Sequence, residues 1–175
     1  MKNFEDRMKG FIILFLLRFA RSIFCSFVLL LLIFGFSDQA KSSEDESISF
    51  ETSELTIVTA DRRCHFVVEI AQSAAQRQQG LMGRLEMHAD RGMLLDFGSL
   101  QLVHMWMKNT YIPLDMLFLD EVGKINAIAD NTKPFSTDVI SSPNLARAVL
   151  ELNGGTVSRL RIKVGDKVLH RIFQH

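Results

Sequence analysis

Residues 114–130 read LDMLFLDEVGKINAIAD, and this stretch decides the fold class. Leu114–Asp120 and Lys124–Asp130 are short runs rich in apolar residues. Between them lies Glu121-Val122-Gly123, and Gly123 suits the backbone of a tight hairpin turn. The stretch therefore predicts two adjacent antiparallel strands. Pro113 has no amide hydrogen, so it marks the start of the first strand rather than its interior.

The same grammar recurs on both sides. LTIVT (55–59) and CHFVVEI (64–70) predict two strands joined by a turn at Asp61-Arg62. In the second, Phe66, Val68 and Ile70 fall on one face, and His65, Val67 and Glu69 on the other. SAAQRQQGLMGR (73–84) predicts about two turns of helix behind an N-cap at Ser73, with Gly80 and Gly83 ending it. GMLLDF (92–97), LVHMWM (102–107) and RAVLEL (147–152) are further strand candidates. Residues 131–145, with Pro134 and Pro143, read as a loop. Thr156 is placed to cap one or two helical turns ending near Ile162, and KVLHRIF (167–173) is the last strand.

Seven or eight short strands, one or two short helices and no βαβ alternation describe a mainly β domain. A compact antiparallel sandwich or barrel follows. The sequence contains no glycine-rich phosphate loop, internal repeat or low-complexity tract.

The N-terminal region has a different composition. Lys2, Arg7, Lys9, Arg18 and Arg21 precede the uncharged run SIFCSFVLLLLIFGF (22–36), and SDQAKSS then turns polar. A basic segment, an apolar segment and a small residue at the exit are the parts of a secretory signal, with Ala40 the last residue before cleavage. Asp38, two residues earlier, departs from the small residue preferred there. The uncharged run is shorter than the roughly 20 residues that span a bilayer core, although FIILFLL (11–17) extends the apolar region. Residues 1–40 are thus a cleaved signal peptide or a retained N-terminal membrane anchor. Both place the remainder in the periplasm or outside the cell. Residues 41–54, KSSEDESISFETSE, read as a flexible acidic lead-in, and residues 55–175 as one domain with enough chain for a real core.

The whole chain carries 20 Lys and Arg against 20 Asp and Glu. The charges are interspersed without a basic stripe, so nucleic acid is excluded as a partner class. Membrane contact is expected only through the N-terminal segment. Cys25 lies in the apolar run, which leaves Cys64 alone in the exported part, so no internal disulfide is expected.

Four candidate chemistries stand in the sequence. HMWMKN (104–109) holds the chain's one Trp, with Lys108 and Asn109 following. Trp106 is either a core residue followed by a polar turn, or the wall of a pocket with Lys108 and Asn109 at its rim. Six Met and five His follow residue 40, a soft-metal composition. Alternation separates His104 from Met105 and Met107, however, and Met is a common core filler, so no metal or cofactor is assigned. Cys64 and His65 point to opposite faces of a strand, which leaves Cys64 a small buried apolar residue. Asp115 and Glu151 both interrupt apolar strands. Each is either buried in an ion pair with Arg77, Arg84 or Lys108, or is a general acid or base with a shifted pKa.

QRQQGLMGR, GMLLDF, MWMKNTYIPLDMLFLD, GKINAIADN, ARAVLEL, GG and IKVGDKV occur in this order over residues 70–170. This set resembles the DUF192 family of small bacterial and archaeal domains, and WMKNTYIPLDMLFLD is specific to it. The resemblance implies a compact, mostly β domain, often behind an export signal, and carries no established activity. Met105 stands where the family commonly has an aromatic. The family-like polar residues are Arg77, Arg84, Lys108, Asn109, Asp115 and Glu151.

These readings converge on an exported domain that binds a small molecule or a partner protein in a cleft near Trp106, Lys108 and Asn109. Asp115 is expected to anchor the turn by pairing with an Arg or Lys. The alternative is a small hydrolase-like enzyme using Asp115 or Glu151 with Lys108.

Overall fold

The computed structural model describes residues 48–173. The readings that fall on residues 1–47, among them the signal or anchor and Cys25, lie outside the described residues, as does His175.

The hairpin forms as its sequence dictates. β5 (Leu114–Leu119) pairs antiparallel with β6 (Ile125–Ala129). The Asp120 carboxylate accepts from the amides of Val122 and Lys124 at 3.0 and 2.8 Å, which holds the turn. Gly123 has a φ of 80°, and a Cβ there would lie 2.4 Å from the Val168 carbonyl oxygen. Both the backbone angle and the close approach require glycine.

The hairpin is one end of a seven-stranded sheet. From β6 and β5 it continues through β8 (Ala146–Asn153), β3 (Arg91–Gln101), β2 (Arg63–Ala71), β1 (Glu51–Val58) and β9 (Lys167–Leu169). The sheet curls into a half-barrel. At one end its edges meet, through a bridge between Lys124 and Lys167 and a Val168 amide that donates to the Gly123 carbonyl at 2.7 Å.

Alternation along the strands builds two cores, one on each face. Leu55, Ile57, Phe66, Val68, Ile70, Leu94, Leu117 and Leu150 pack together on the first face, with residues of both edges, Ile125 and Val168. Met93, Leu95, Met116, Phe118 and Val149 pack on the second, covered by Leu81, Val103 and Met107 from loops. β5 is buried at all six positions because it is covered on both faces. Each of these large apolar side chains contributes about 1.5–3 kcal/mol by leaving water.

The sequence expectations need correction in several places. The sheet is not antiparallel throughout, since β2 and β3 run parallel. The chain between them crosses over through α1 (Ala74–Gln79) and the loop to Asp90, a connection long enough to return β3 in the same direction. Among the described residues there are nine strands rather than seven or eight, because β4 (His104–Met105) and β7 (Ile140–Ser141) form a separate two-residue pair. LVHMWM is therefore mostly loop, and β7 lies in the segment read as loop. β1 starts at Glu51, inside the expected lead-in, because β2 offers its residues ladder partners as far as Ile70. The last strand ends at Leu169, and a 3₁₀ turn, Arg171–Phe173, follows.

The helix readings divide. Ser73 caps α1 as expected: its hydroxyl accepts from the Gln76 amide at 3.1 Å, while the Gln76 side chain accepts from the Ser73 amide at 2.9 Å. Thr156 is not a cap. It is the first residue of α2 (Thr156–Leu160), and the N-cap is Gly155, which has a φ of 82° and no side chain to offer.

Candidate functional site

Two segments meet over the second face of the sheet. One is α1 with the loop after it, residues 77–84. The other is the turn at residues 105–110. The Gly83 amide donates to the Asn109 carbonyl at 2.9 Å, which ties them together. Asn109 adopts φ 55°, a left-handed conformation that Asn tolerates better than most residues. Its backbone, rather than its exposed side chain, thus does the joining. The Thr110 amide closes the turn on the Met107 carbonyl at 3.1 Å.

Between these segments is a crevice of about 30 Å³, lined by Arg77, Met82, Leu95, Met105, Trp106, Thr110 and Glu151 among others. That is room for a water molecule or two. Glu151 comes from the central strand β8. Its cross-strand neighbours are Met93 and Met116, both fully buried, so the carboxyl sits in an apolar row. Glu151 is 4% exposed, and its Oε2 has no hydrogen-bond partner among the described residues. Burial pushes the carboxyl up to about 7, against a smaller opposing pull from the Arg84 charge.

The nearby arginines are engaged elsewhere. The Arg77 guanidinium donates to the Gln72 carbonyl and, at 3.0 Å, to the Asp96 carbonyl, and it lies over the Phe97 ring at 5.2 Å. Arg84 forms a two-pronged ion pair with Glu69, one contact being 2.7 Å. Among the described residues no ion pair to Glu151 forms, which overturns the ion-pair reading.

Trp106 is not a core residue. It is 46% exposed, because the chain leaves β4 after Met105 and carries the indole to the surface. Lys108 Nζ lies 5.4 Å from the centre of the Trp106 ring, a cation–π contact at the rim.

Asp115 is elsewhere, and among the described residues no Arg or Lys pairs with it, contrary to expectation. It lies in β5, one residue out of phase with Leu114 and Met116 of the second core. The side chain is fully buried. Its oxygens accept from the backbone amides of Asn131 at 2.7 Å, Gly155 at 3.1 Å and Val157 at 2.7 Å. Asp115 thereby supplies the cap that Gly155 cannot. An anion at the start of a helix also faces the positive end of its peptide dipoles.

Of the seven residues singled out in the sequence, Arg77, Trp106 and Glu151 line the crevice. Lys108 and Asn109 sit at its edge, while Arg84 and Asp115 face other surroundings. Arg84 and Glu69 border a broader, open groove of about 650 Å³ with Glu86, His88 and Arg91. Arg84 pairs with Glu69 there, and His88 lies 2.5 Å from Asp90. Sequence reasoning missed Glu69, although its place on the His65-Val67 face of β2 was the available signal. It also missed Met82 and Met105 as crevice walls. Among the described residues, no group of three His, Cys, Asp or Glu side chains is placed to hold a metal ion. Cys64 is a free, buried thiol, as expected.

Comparison with known proteins agrees with the fold. The family model DUF192, described as "Uncharacterized ACR", matches residues 56–170. A crystal structure of a candidate transcription regulator from Sinorhizobium meliloti 1021 is similar, with 46% identity and a TM-score of 0.69, covering 70% of this chain and 95% of that one. A protein of unknown function from Novosphingobium aromaticivorans DSM 12444 is similar at 33% identity and a TM-score of 0.69, covering 71% of this chain and 89% of its own. No curated protein matches. By the extent of the family match, this chain belongs to the DUF192 family.

Proposed function

We propose that this domain is a binding module. Its crevice beside Trp106 takes a small ligand, or a side chain of a partner protein. The observation that carries this reading is Glu151, a buried carboxyl with an unpartnered oxygen at the floor of an open-sided crevice. Leaving a buried polar atom unmatched costs about 1–3 kcal/mol. A fold that needed only stability would fill that position with an apolar residue. Trp106, half out of the surface and carrying Lys108 on its ring, offers a contact face at the entrance.

The test is a fragment screen on the full chain read by the single indole. Saturable changes in indole fluorescence, together with calorimetric heats of binding that are lost in Trp106→Phe, support the reading. A screen in which every ligand found binds Trp106→Phe as well as the parent removes it.

The enzymatic alternative now rests on Glu151 alone. Asp115 is buried and occupied by three amides, which leaves it no free geometry for proton transfer. Glu151 has the raised carboxyl value of a general acid or base, so hydrolysis of a substrate that enters the crevice is the second reading.

We also propose that the domain works outside the cytoplasm, in the periplasm or secreted, either freed by cleavage after Ala40 or tethered by residues 1–40. The basic and apolar segments of that region support this. Cell fractionation with N-terminal sequencing of the purified chain tests it. An intact Met1 in the soluble cytoplasmic fraction would remove the proposal.

A further inference from the structure

The chemistry around Glu151 narrows what the crevice accepts. The floor is a carboxyl set between Met93 and Met116, with Leu95 beside it. An anionic ligand would face a like charge in an apolar surround. A neutral donor would satisfy Oε2 but leave an uncompensated charge whenever the carboxyl is ionised. A cation meets both demands.

Among the described residues, none supplies that cation. Arg77 is spent on two backbone carbonyls and the Phe97 ring, and Arg84 on Glu69. Lys108 is outside, on the Trp106 ring. The charge must come from elsewhere. The space, about 30 Å³, suits a group the size of a water molecule rather than a planar guanidinium. Thr110, whose hydroxyl lies 3.3 Å from the Lys108 carbonyl, adds a second oxygen to the wall. At the mouth, Trp106 already holds one ammonium, that of Lys108, against its ring.

We propose that the Glu151 crevice receives one primary ammonium group on an unbranched carbon chain, with Oε2 accepting from the ammonium and the carbon chain leaving over Trp106. This inference rests on the binding reading above and specifies its ligand class. Contact with Oε2 requires side chains at the rim to rotate, and Trp106 is exposed enough to do so. The ammonium can belong to a free alkylamine or to a lysine side chain.

The experiment titrates the full chain at pH 8 with n-butylammonium, n-butanol and n-butyrate, three probes of similar shape. Indole fluorescence and calorimetry are the readouts, and Glu151→Gln is the variant. N-acetyl-lysine methylamide is titrated in parallel. The expected result is saturable binding of butylammonium, weaker by about tenfold or more with butanol, absent with butyrate, and weakened by about tenfold or more in Glu151→Gln. Tighter binding of the blocked lysine assigns the site to a protein side chain, and tighter binding of butylammonium assigns it to free amines. Butanol binding as well as butylammonium, or Glu151→Gln retaining full affinity, overturns the ammonium assignment and leaves a binding site of another class. Copper(I) binding that depends on Glu151, with no response to any amine, overturns it as well. If no probe gives heat or an indole signal, the assignment also fails, and the fragment screen decides separately whether the crevice binds anything.

Discussion

Two buried carboxyls, Asp115 and Glu151, lie on opposite faces of the sheet, and the fold treats them in opposite ways. Asp115 is sealed in with three amides on its oxygens. Glu151 lines the crevice with one oxygen bare and methionines on either side. Both lie in strands of the same sheet, paired to one another, and both are less than 5% exposed. The difference separates a polar group that stabilises the fold from one that is kept at a cost to it. Burial alone does not tell the two apart, whereas the presence or absence of partners does.

The largest way to break this comparison is Asp115→Ala. It strands the amides of Asn131, Gly155 and Val157 and removes the cap of α2, so unfolding free energy should fall by about 3–5 kcal/mol in denaturant titration. A loss below about 1 kcal/mol would mean that solvent readily replaces the carboxylate.

The second test has the opposite sign. Glu151 is raised from 4.5 to about 7 in the folded chain, so the folded state holds its proton more tightly than the unfolded state. Its contribution is fully present below pH 4.5 and is lost as pH rises to about 7. Glu151→Gln should therefore leave stability nearly unchanged at pH 4 and raise it at pH 8, by up to about 3 kcal/mol. The difference between parent and variant isolates this group. His170 works in the other direction, since burial and Arg171 hold it below 6.5 and its contribution is lost as pH falls. Equal stability of parent and Glu151→Gln at pH 8 would show that the carboxylate is compensated after all.

Smaller effects divide the central motif. Asn109→Ala places a Cβ-bearing residue with poor left-handed tolerance at φ 55° and should cost about 1–2 kcal/mol by thermal unfolding. Lys108→Ala removes only a contact to an exposed ring and should cost less than about 1 kcal/mol. If Lys108→Ala matched Asp115→Ala, the segment would be a single structural clasp rather than three residues with separate tasks.

Much of the local structure could be read directly from the residues. Gly123 marks the hairpin, Ser73 marks the start of α1, and the alternation of Phe66, Val68 and Ile70 marks the buried face of β2. Each depends on neighbours within a few positions, where backbone geometry and periodicity act directly. Trp106 was misplaced as a possible core residue because LVHMWM has strand-like composition. What limits the ladder there is β7, a two-residue partner more than thirty positions away. The importance of Glu151 and Asp115 was legible from charges inside apolar runs, but their roles were not. Arg77, Arg84 and Lys108 are cations available to pair with these carboxyls in the sequence, but in the fold Arg77 is engaged by the Asp96 carbonyl and Arg84 by Glu69.

The sequence by itself determined a mainly β domain, its hairpin, its first helix and its family, because these follow from short-range pattern and from a specific string of residues. The tertiary structure alone decided that β2 and β3 run parallel and that the sheet edges meet. It also decided that three backbone amides converge on one carboxylate while the other is left with none. Those outcomes depend on which distant segments share space, and hydrogen-bond partners are allotted only when the chain has closed around them.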